Sequence, residues 1–198
     1  MPFKTIRLAT ICAAMMTGTT ALLALPAAAE EYVIDTKGMH ASIEFRVKHL
    51  GFSWLAGRFN TFSGDFTYDA KAPEASKINV VIETASLDSN HAERDKHLRN
   101  ADFLDVATFP KATFISKSVK SNGGNKATIT GDLTLRGVTK PVAVEAEYIG
   151  GGDDPWGGHR QGFAGSAKLT LADYGMTRDL GPASKEVELV LNIEGVRK

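Results

Sequence analysis

From Glu31 onward, apolar and polar residues alternate with a period of two, the mark of strands that present one face inward and the other outward. In Ser42–Lys48, Ile43, Phe45 and Val47 oppose Ser42, Glu44, Arg46 and Lys48. Phe62, Phe66 and Tyr68 share a face with Gly64, and Ile78, Val80 and Ile82 alternate with polar positions, Val81 excepted. The same rhythm recurs at Ala127, Ile129, Leu133 and Leu135, and again at Val142, Val144, Ala146 and Tyr148. It returns at Phe163, Ala167, Leu169 and Leu171, and finally at Val187, Leu189, Leu191 and Ile193. A further strand over Ala112–Lys120 is less cleanly patterned.

Turn residues separate these runs. Ser121-Asn122-Gly123-Gly124-Asn125 predicts a hairpin. Gly137-Val138-Thr139-Lys140-Pro141 predicts a turn with proline kept to a strand start. Only Ser89–Asn100 reads as helical. About eight strands in sequential hairpins with one short helix predict an all-β fold, a closed antiparallel barrel or a sandwich. A barrel of that size either fills its interior with side chains or holds one small ligand, and alternation alone does not choose between them. Two connections stand out. His49–Phe59 is unusually apolar, an aggregation or membrane-contact patch if exposed and a lid or cavity wall if folded in. Gly150–Gly162 reads as the longest irregular loop, with Trp156 placed to cap one barrel end beneath the Arg160 guanidinium.

The first 29 residues change the charge and cysteine picture. Lys4 and Arg7 precede an Ala-rich apolar run, which ends in Pro26-Ala27-Ala28-Ala29 before Glu30. This is the pattern of a cleaved secretory signal peptide, and it predicts an exported chain of residues 30–198 forming one domain. Cleavage removes two of the 23 Lys+Arg, none of the 23 Asp+Glu and the single Cys, Cys12, leaving a formal net charge of −2. A thiol-free chain excludes disulfides, cysteine metal sites and a thiol nucleophile. Mild acidity without basic clusters argues against nucleic acid as a partner, and no later apolar stretch predicts a transmembrane helix.

Motif chemistry is sparse. G-x-S-x-G, G-x-x-x-x-G-K-[ST], G-x-G-x-x-G and H-E-x-x-H are all missing, and His40, His49, His91, His97 and His159 lack metal-ligand spacing. No catalytic residue, metal or cofactor is therefore expected. His49 continues the apolar parity of Phe45 and Val47, which suits a hydrogen-bonded core histidine or a head-group contact. In Arg94–Arg99, Asp95 and Arg99 have the spacing of an exposed i,i+4 pair. A lipid-modifying hydrolase or isomerase using His49 or the Arg94–His97 segment is the alternative to pure binding.

Several segments in order resemble the YceI-like proteins of bacterial cell envelopes: Phe45-Arg46-Val47-Lys48-His49-Leu50-Gly51-Phe52, Arg94-Asp95-Lys96-His97-Leu98-Arg99-Asn100-Ala101-Asp102-Phe103-Leu104-Asp105-Val106, Gly131-Asp132-Leu133-Thr134-Leu135-Arg136-Gly137-Val138-Thr139-Lys140-Pro141-Val142, and Asp154-Pro155-Trp156-Gly157. The resemblance implies a periplasmic or secreted lipocalin-like barrel that holds a long amphiphile, such as a polyprenyl compound or an isoprenoid quinone. It is compatible with a homodimer and with a redox or transport partner in the membrane. Joined to the strand faces, it predicts a wall of Phe45, Val47, Phe62, Phe66, Ile129, Leu133, Phe163, Leu169, Leu189 and Leu191. It also predicts a mouth of Phe52, Trp54, Phe103 and Trp156, with His49, Arg94, His97 or Arg160 as head-group contacts.

Overall fold

The computed structural model describes residues 29–198, so the signal-peptide reading lies outside the described residues apart from Ala29. The strands are β1 (Glu30–Ile34), β2 (Ser42–His49), β3 (Ser53–Phe59), β4 (Phe62–Tyr68), β5 (Ile78–Glu83), β6 (Leu87–Asp88), β7 (Lys111–Gly123), β8 (Lys126–Leu135), β9 (Val138–Asp153), β10 (His159–Thr170) and β11 (Glu186–Arg197). Among the described residues one α-helix, α1 (Ala92–Leu98), lies between β6 and β7. Strands β1, β4, β5, β7, β8, β9, β10 and β11 pair in that order, and β1 closes the ring on β11. The predicted eight-stranded closed antiparallel barrel is the observed fold. None of the described helices is long and apolar enough to cross a membrane.

The remaining strands extend three ring positions. Both β1 and β2 pair with β11, through Ile34↔Gly195 and Ser42↔Asn192, so residues 30–49 run as one strand interrupted at 35–41. Likewise β3 pairs with β2 and β6 while β4 pairs with β1 and β5. The barrel is thus long. Its lower end carries the β2–β3 hairpin and α1; its upper end carries the β4–β5 connection and the β7–β8 and β9–β10 hairpins. Several phenylalanine rings lie over glycines of a neighbouring strand. A Cβ on Gly57 would stand 2.4 Å from the Phe45 ring, and one on Gly131 2.5 Å from Phe114. At these positions the barrel wall requires glycine, because any Cβ would displace the ring.

Two features depart from the pattern read in the sequence. Inward parity on β7 switches from Ala112 and Phe114 to Val119 because Lys117 is an extra residue between Ser116↔Gly131 and Ser118↔Thr130. Such a bulge reverses the faces beyond it, which is why this strand read poorly. Gly150–Gly162 is no loop: β9 and β10 continue through it to Asp153↔His159, leaving a short turn in which the Asp154 carboxylate accepts from the Trp156 and Gly158 amides at 2.9 and 2.8 Å. Three consecutive glycines erase alternation without preventing pairing.

The buried core divides between the two ends. Leu87, Phe103, Leu104, Leu133, Leu169, Tyr174 and Met176 pack at the lower end. Tyr32, Ile34, Ala41 and Phe66 pack at the upper end, with Tyr32 stacked on Phe66 at 5.1 Å. The interior between them is not filled.

Candidate functional site: an apolar lumen

A cavity of about 350 Å³ occupies the middle and upper barrel, and a second of about 140 Å³ lies below it. Ile43, Ile82, Leu133 and Leu189 line both, so the two are successive chambers of one lumen. The upper chamber owes its width to small side chains in register. Ala127 pairs with Ala146 and Ala146 with Gly165, which sets a row of minimal residues across β8, β9 and β10. Above this row stand Tyr148 and Phe163; below it stand Ile129 and Val144. Bulky residues on either side of a small-residue row leave room that close packing would otherwise remove. The volume lies within the range of ligand pockets.

The upper chamber extends to exposed Glu74, Gly124, Asn125 and Lys126, so its mouth lies between the β4–β5 connection and the β7–β8 turn. The Ser121 amide donates to Glu74 across this rim at 2.9 Å. Just inside, Tyr68 and Tyr148 stack at 5.7 Å, and both rings contact Phe163. Burial, with Tyr148 beside it, pushes the Tyr68 phenol up, so it stays protonated and able to donate. The Ser76 hydroxyl also lines the chamber, buried and without a hydrogen-bond partner. Apolar walls with a few polar groups at one end suit a molecule with a long apolar chain and a polar head.

The predicted wall is largely in place. Phe66, Ile129, Leu133, Phe163, Leu189 and Leu191 line the upper chamber, and Phe45, Val47 and Leu169 the lower. Phe62 packs instead in the upper core beside Tyr32 and Phe66 and lines neither chamber. The four residues expected at the mouth lie elsewhere. Phe103 is buried and forms part of the floor of the lower chamber, because the segment after α1 folds under the barrel. Phe52 and Trp54 are exposed on the β2–β3 hairpin, which projects beyond the sheet. Trp156 is 81% exposed at its turn, with the Arg160 guanidinium 6.0 Å from its ring, so it caps nothing. Tyr68, Tyr148 and Ser76, which line the chamber near its rim, were not singled out in the sequence. The available signal was that Tyr68 and Tyr148 end their apolar-parity runs as inward residues with a hydroxyl.

The proposed polar and catalytic residues are scattered outside the lumen. His49 is exposed, because β2 ends there and the chain turns through Leu50 and Gly51, both at positive φ. His97 lies against Phe103 and 3.4 Å from Asp102 on the outside of the lower end. Arg94 donates to the Ser89 hydroxyl and carbonyl. Asp95 is buried and accepts from the Ser89 amide and hydroxyl, while Arg99 donates to the Leu87 carbonyl. The expected exposed Asp95–Arg99 pair is therefore a buried clasp that fixes α1 to β6.

Arg160 is likewise committed. It donates to Asp154 at 2.6 Å, Asp35 at 2.7 Å and Glu194 at 2.6 Å. Asp35, His40 and Glu194 offer ligand atoms within 4.8 Å of one another, but both carboxylates already accept from the Arg160 guanidinium. Arg160, then His40 and the Gly38 amide, hold the Asp35 carboxyl down at about 2, below its ordinary 3.8. A lowered native pKa stabilises the fold above the unfolded value, and the gain is lost as pH falls from about 4 through 2. Urea unfolding at stepped pH should show a steeper decline across that window in the native chain than in Asp35→Asn. Parallel curves for the two would remove Asp35 from the acid response.

The fold and the lumen define the class: a lipocalin-like antiparallel barrel with an apolar interior open at one end. A family model described as "YceI-like domain" matches residues 32–195, and the chain belongs to this family. The "UPF0312 protein" of Pseudomonas aeruginosa (strain LESB58) is 60% identical over 186 residues, covering 94% of this chain and 97% of that one. Among solved structures, the Campylobacter jejuni YCEI protein is 28% identical, with a TM-score of 0.70 over 77% of this chain and 90% of its own. A polyisoprenoid binding domain from Saccharophagus degradans, 15% identical, shares the fold at a TM-score of 0.61 over 84% of this chain and 98% of its own.

Proposed function

We propose that the protein is a periplasmic carrier that holds a long isoprenoid-type amphiphile, a polyprenyl compound or an isoprenoid quinone, in its lumen and catalyses no reaction. The observation that carries this reading is the chamber widened by Ala127, Ala146 and Gly165 and bordered by tyrosines at its mouth. Each buried CH₂ contributes about 0.8 kcal/mol, so a long chain binds tightly with few polar contacts. The binding described for the Saccharophagus degradans domain agrees with this chemistry. In this reading the chain enters tail first, and Tyr68, Tyr148 and Ser76 meet the head group.

Export follows from the proposed cleavage after Ala29, which would leave Glu30, the first residue of β1, as the new N-terminus. Native mass spectrometry of protein purified from its own envelope tests both parts. A polypeptide beginning at Glu30, with the added mass of a releasable amphiphile, is the expected result. An empty protein that also fails to take up long-chain prenyl compounds would refute the carrier.

A further inference from the structure

Among the described residues, several large apolar side chains gather in solvent away from the lumen on the β2–β3 hairpin. Leu50 is 58% exposed, Phe52 86% and Trp54 44%. Leu180, 38% exposed, lies beside them, and a Cβ on the adjacent Gly181 would stand 4.0 Å from Leu50 Cδ2. Cations flank this tip. Trp54 pairs across the hairpin with Lys48, and on the same outer face the Arg46 guanidinium lies 4.6 Å and the Lys48 ammonium 5.4 Å from its ring. Arg46 shares Glu188 with Lys168, while Lys48 and Lys185 have no ion pair among the described residues. The Ser184 hydroxyl donates to the Lys48 carbonyl at 2.7 Å, which brings Lys185 to the same end.

We infer that this tip docks the barrel on an anionic phospholipid surface. Leu50 and Phe52 at the apex enter the acyl boundary, Trp54 sits one step behind at head-group level, and Arg46, Lys48 and Lys185 face the phosphates. Apolar apex, interfacial tryptophan and flanking cations are the order in which a bilayer interface accepts side chains. A second copy of the chain would have to match this cationic rim with acidic groups, whereas an anionic bilayer matches it at any orientation. Leu180 belongs both to this patch and to the wall of the lower chamber, so docking brings the floor of the lumen to the membrane. The inference is independent of what fills the lumen.

The two tryptophans stand at opposite ends of the barrel, which makes the orientation measurable. Protein purified from its own cells would be mixed with vesicles of phosphatidylglycerol and phosphatidylethanolamine, or of phosphatidylcholine alone. In Trp156→Phe, the emission of Trp54 should shift to the blue on the anionic vesicles, and the shift should weaken in 0.5 M salt, where the Debye length is about 4 Å against about 30 Å at 0.01 M. In Trp54→Phe, Trp156 should not shift. Phe52→Asp should weaken vesicle binding by about tenfold or more. Leu50→Gly combined with Phe52→Ser should do the same without strain, since Leu50 has a φ of 52° and glycine accepts that conformation. A barrel with its lumen blocked should dock like the native chain. Absence of binding, a shift in Trp156 instead of Trp54, or undiminished binding by both tip variants would overturn the inference. So would a dimer in sedimentation equilibrium that Phe52→Asp dissolves while vesicles stay unbound, which would assign the tip to a second copy.

Discussion

Replacing Ala146 with tryptophan should yield a folded barrel that carries nothing. Ala146 points into the upper chamber between Ala127 and Gly165, where no neighbouring side chain fills the space. An indole there occupies volume that a ligand chain would use. Excluding about four CH₂ groups removes roughly 3 kcal/mol of burial, which is about a hundredfold in affinity. In a well-packed core the same substitution would cost about 1–3 kcal/mol through overpacking. Against a chamber of about 350 Å³ the unfolding free energy should change by less than about 1 kcal/mol. The outward-facing neighbour Ala143 provides the control, since it lies on the same strand but is exposed. Ala143→Trp should retain its bound mass in native spectrometry and Ala146→Trp should lose it. If Ala146→Trp instead retained the native load, the upper chamber would not be the binding site.

The barrel was legible in the sequence because one physical rule, a period of two with an apolar inner face, governs nearly every strand. Phe66, Ile129, Leu133, Leu169 and Leu189 line the lumen as that rule required. It failed where the chain changes phase or lacks side chains, at the Lys117 bulge and at Gly150–Gly152. The mouth was misread for a different reason. Phe52, Trp54 and Trp156 are large and apolar, and burial is the ordinary expectation for such residues, but each lies at or beside a hairpin turn with little to pack against. Long-range partners were beyond reach as well. Arg160 meets Asp35 across 125 positions and Glu194 across 34, and nothing local marks that convergence. His49 kept the inward parity in sequence and lost it in space because the strand stops there. Asp95 shows the opposite error: its spacing to Arg99 suggested an exposed pair, while Ser89, six residues earlier, is its actual partner.

That partner makes Asp95→Ala the substitution expected to destabilise the barrel most at its lower end. The Asp95 carboxylate accepts from the buried Ser89 amide at 2.9 Å and from the Ser89 hydroxyl, which Arg94 also contacts at 2.7 Å. Removing the carboxylate leaves a buried N–H unpaired and ends a charge-assisted bond. Each loss costs about 1–3 kcal/mol, so a total of about 3 kcal/mol is expected. For a domain of this size that corresponds to a fall in Tm of roughly 10 °C. Asp95→Asn keeps an acceptor for the amide but gives up the charge, and should fall about halfway. The consequence reaches the lumen because α1 presents Leu98, and the segment it anchors presents Phe103 and Leu104, to the floor of the lower chamber. Hydrogen exchange should therefore quicken first across residues 92–109 while β9 and β10 stay protected. A bound chain should also dissociate faster from Asp95→Ala than from the native barrel. An Asp95→Ala protein with unchanged Tm and unchanged exchange over 92–109 would mean that the floor is held by apolar packing alone, without the clasp.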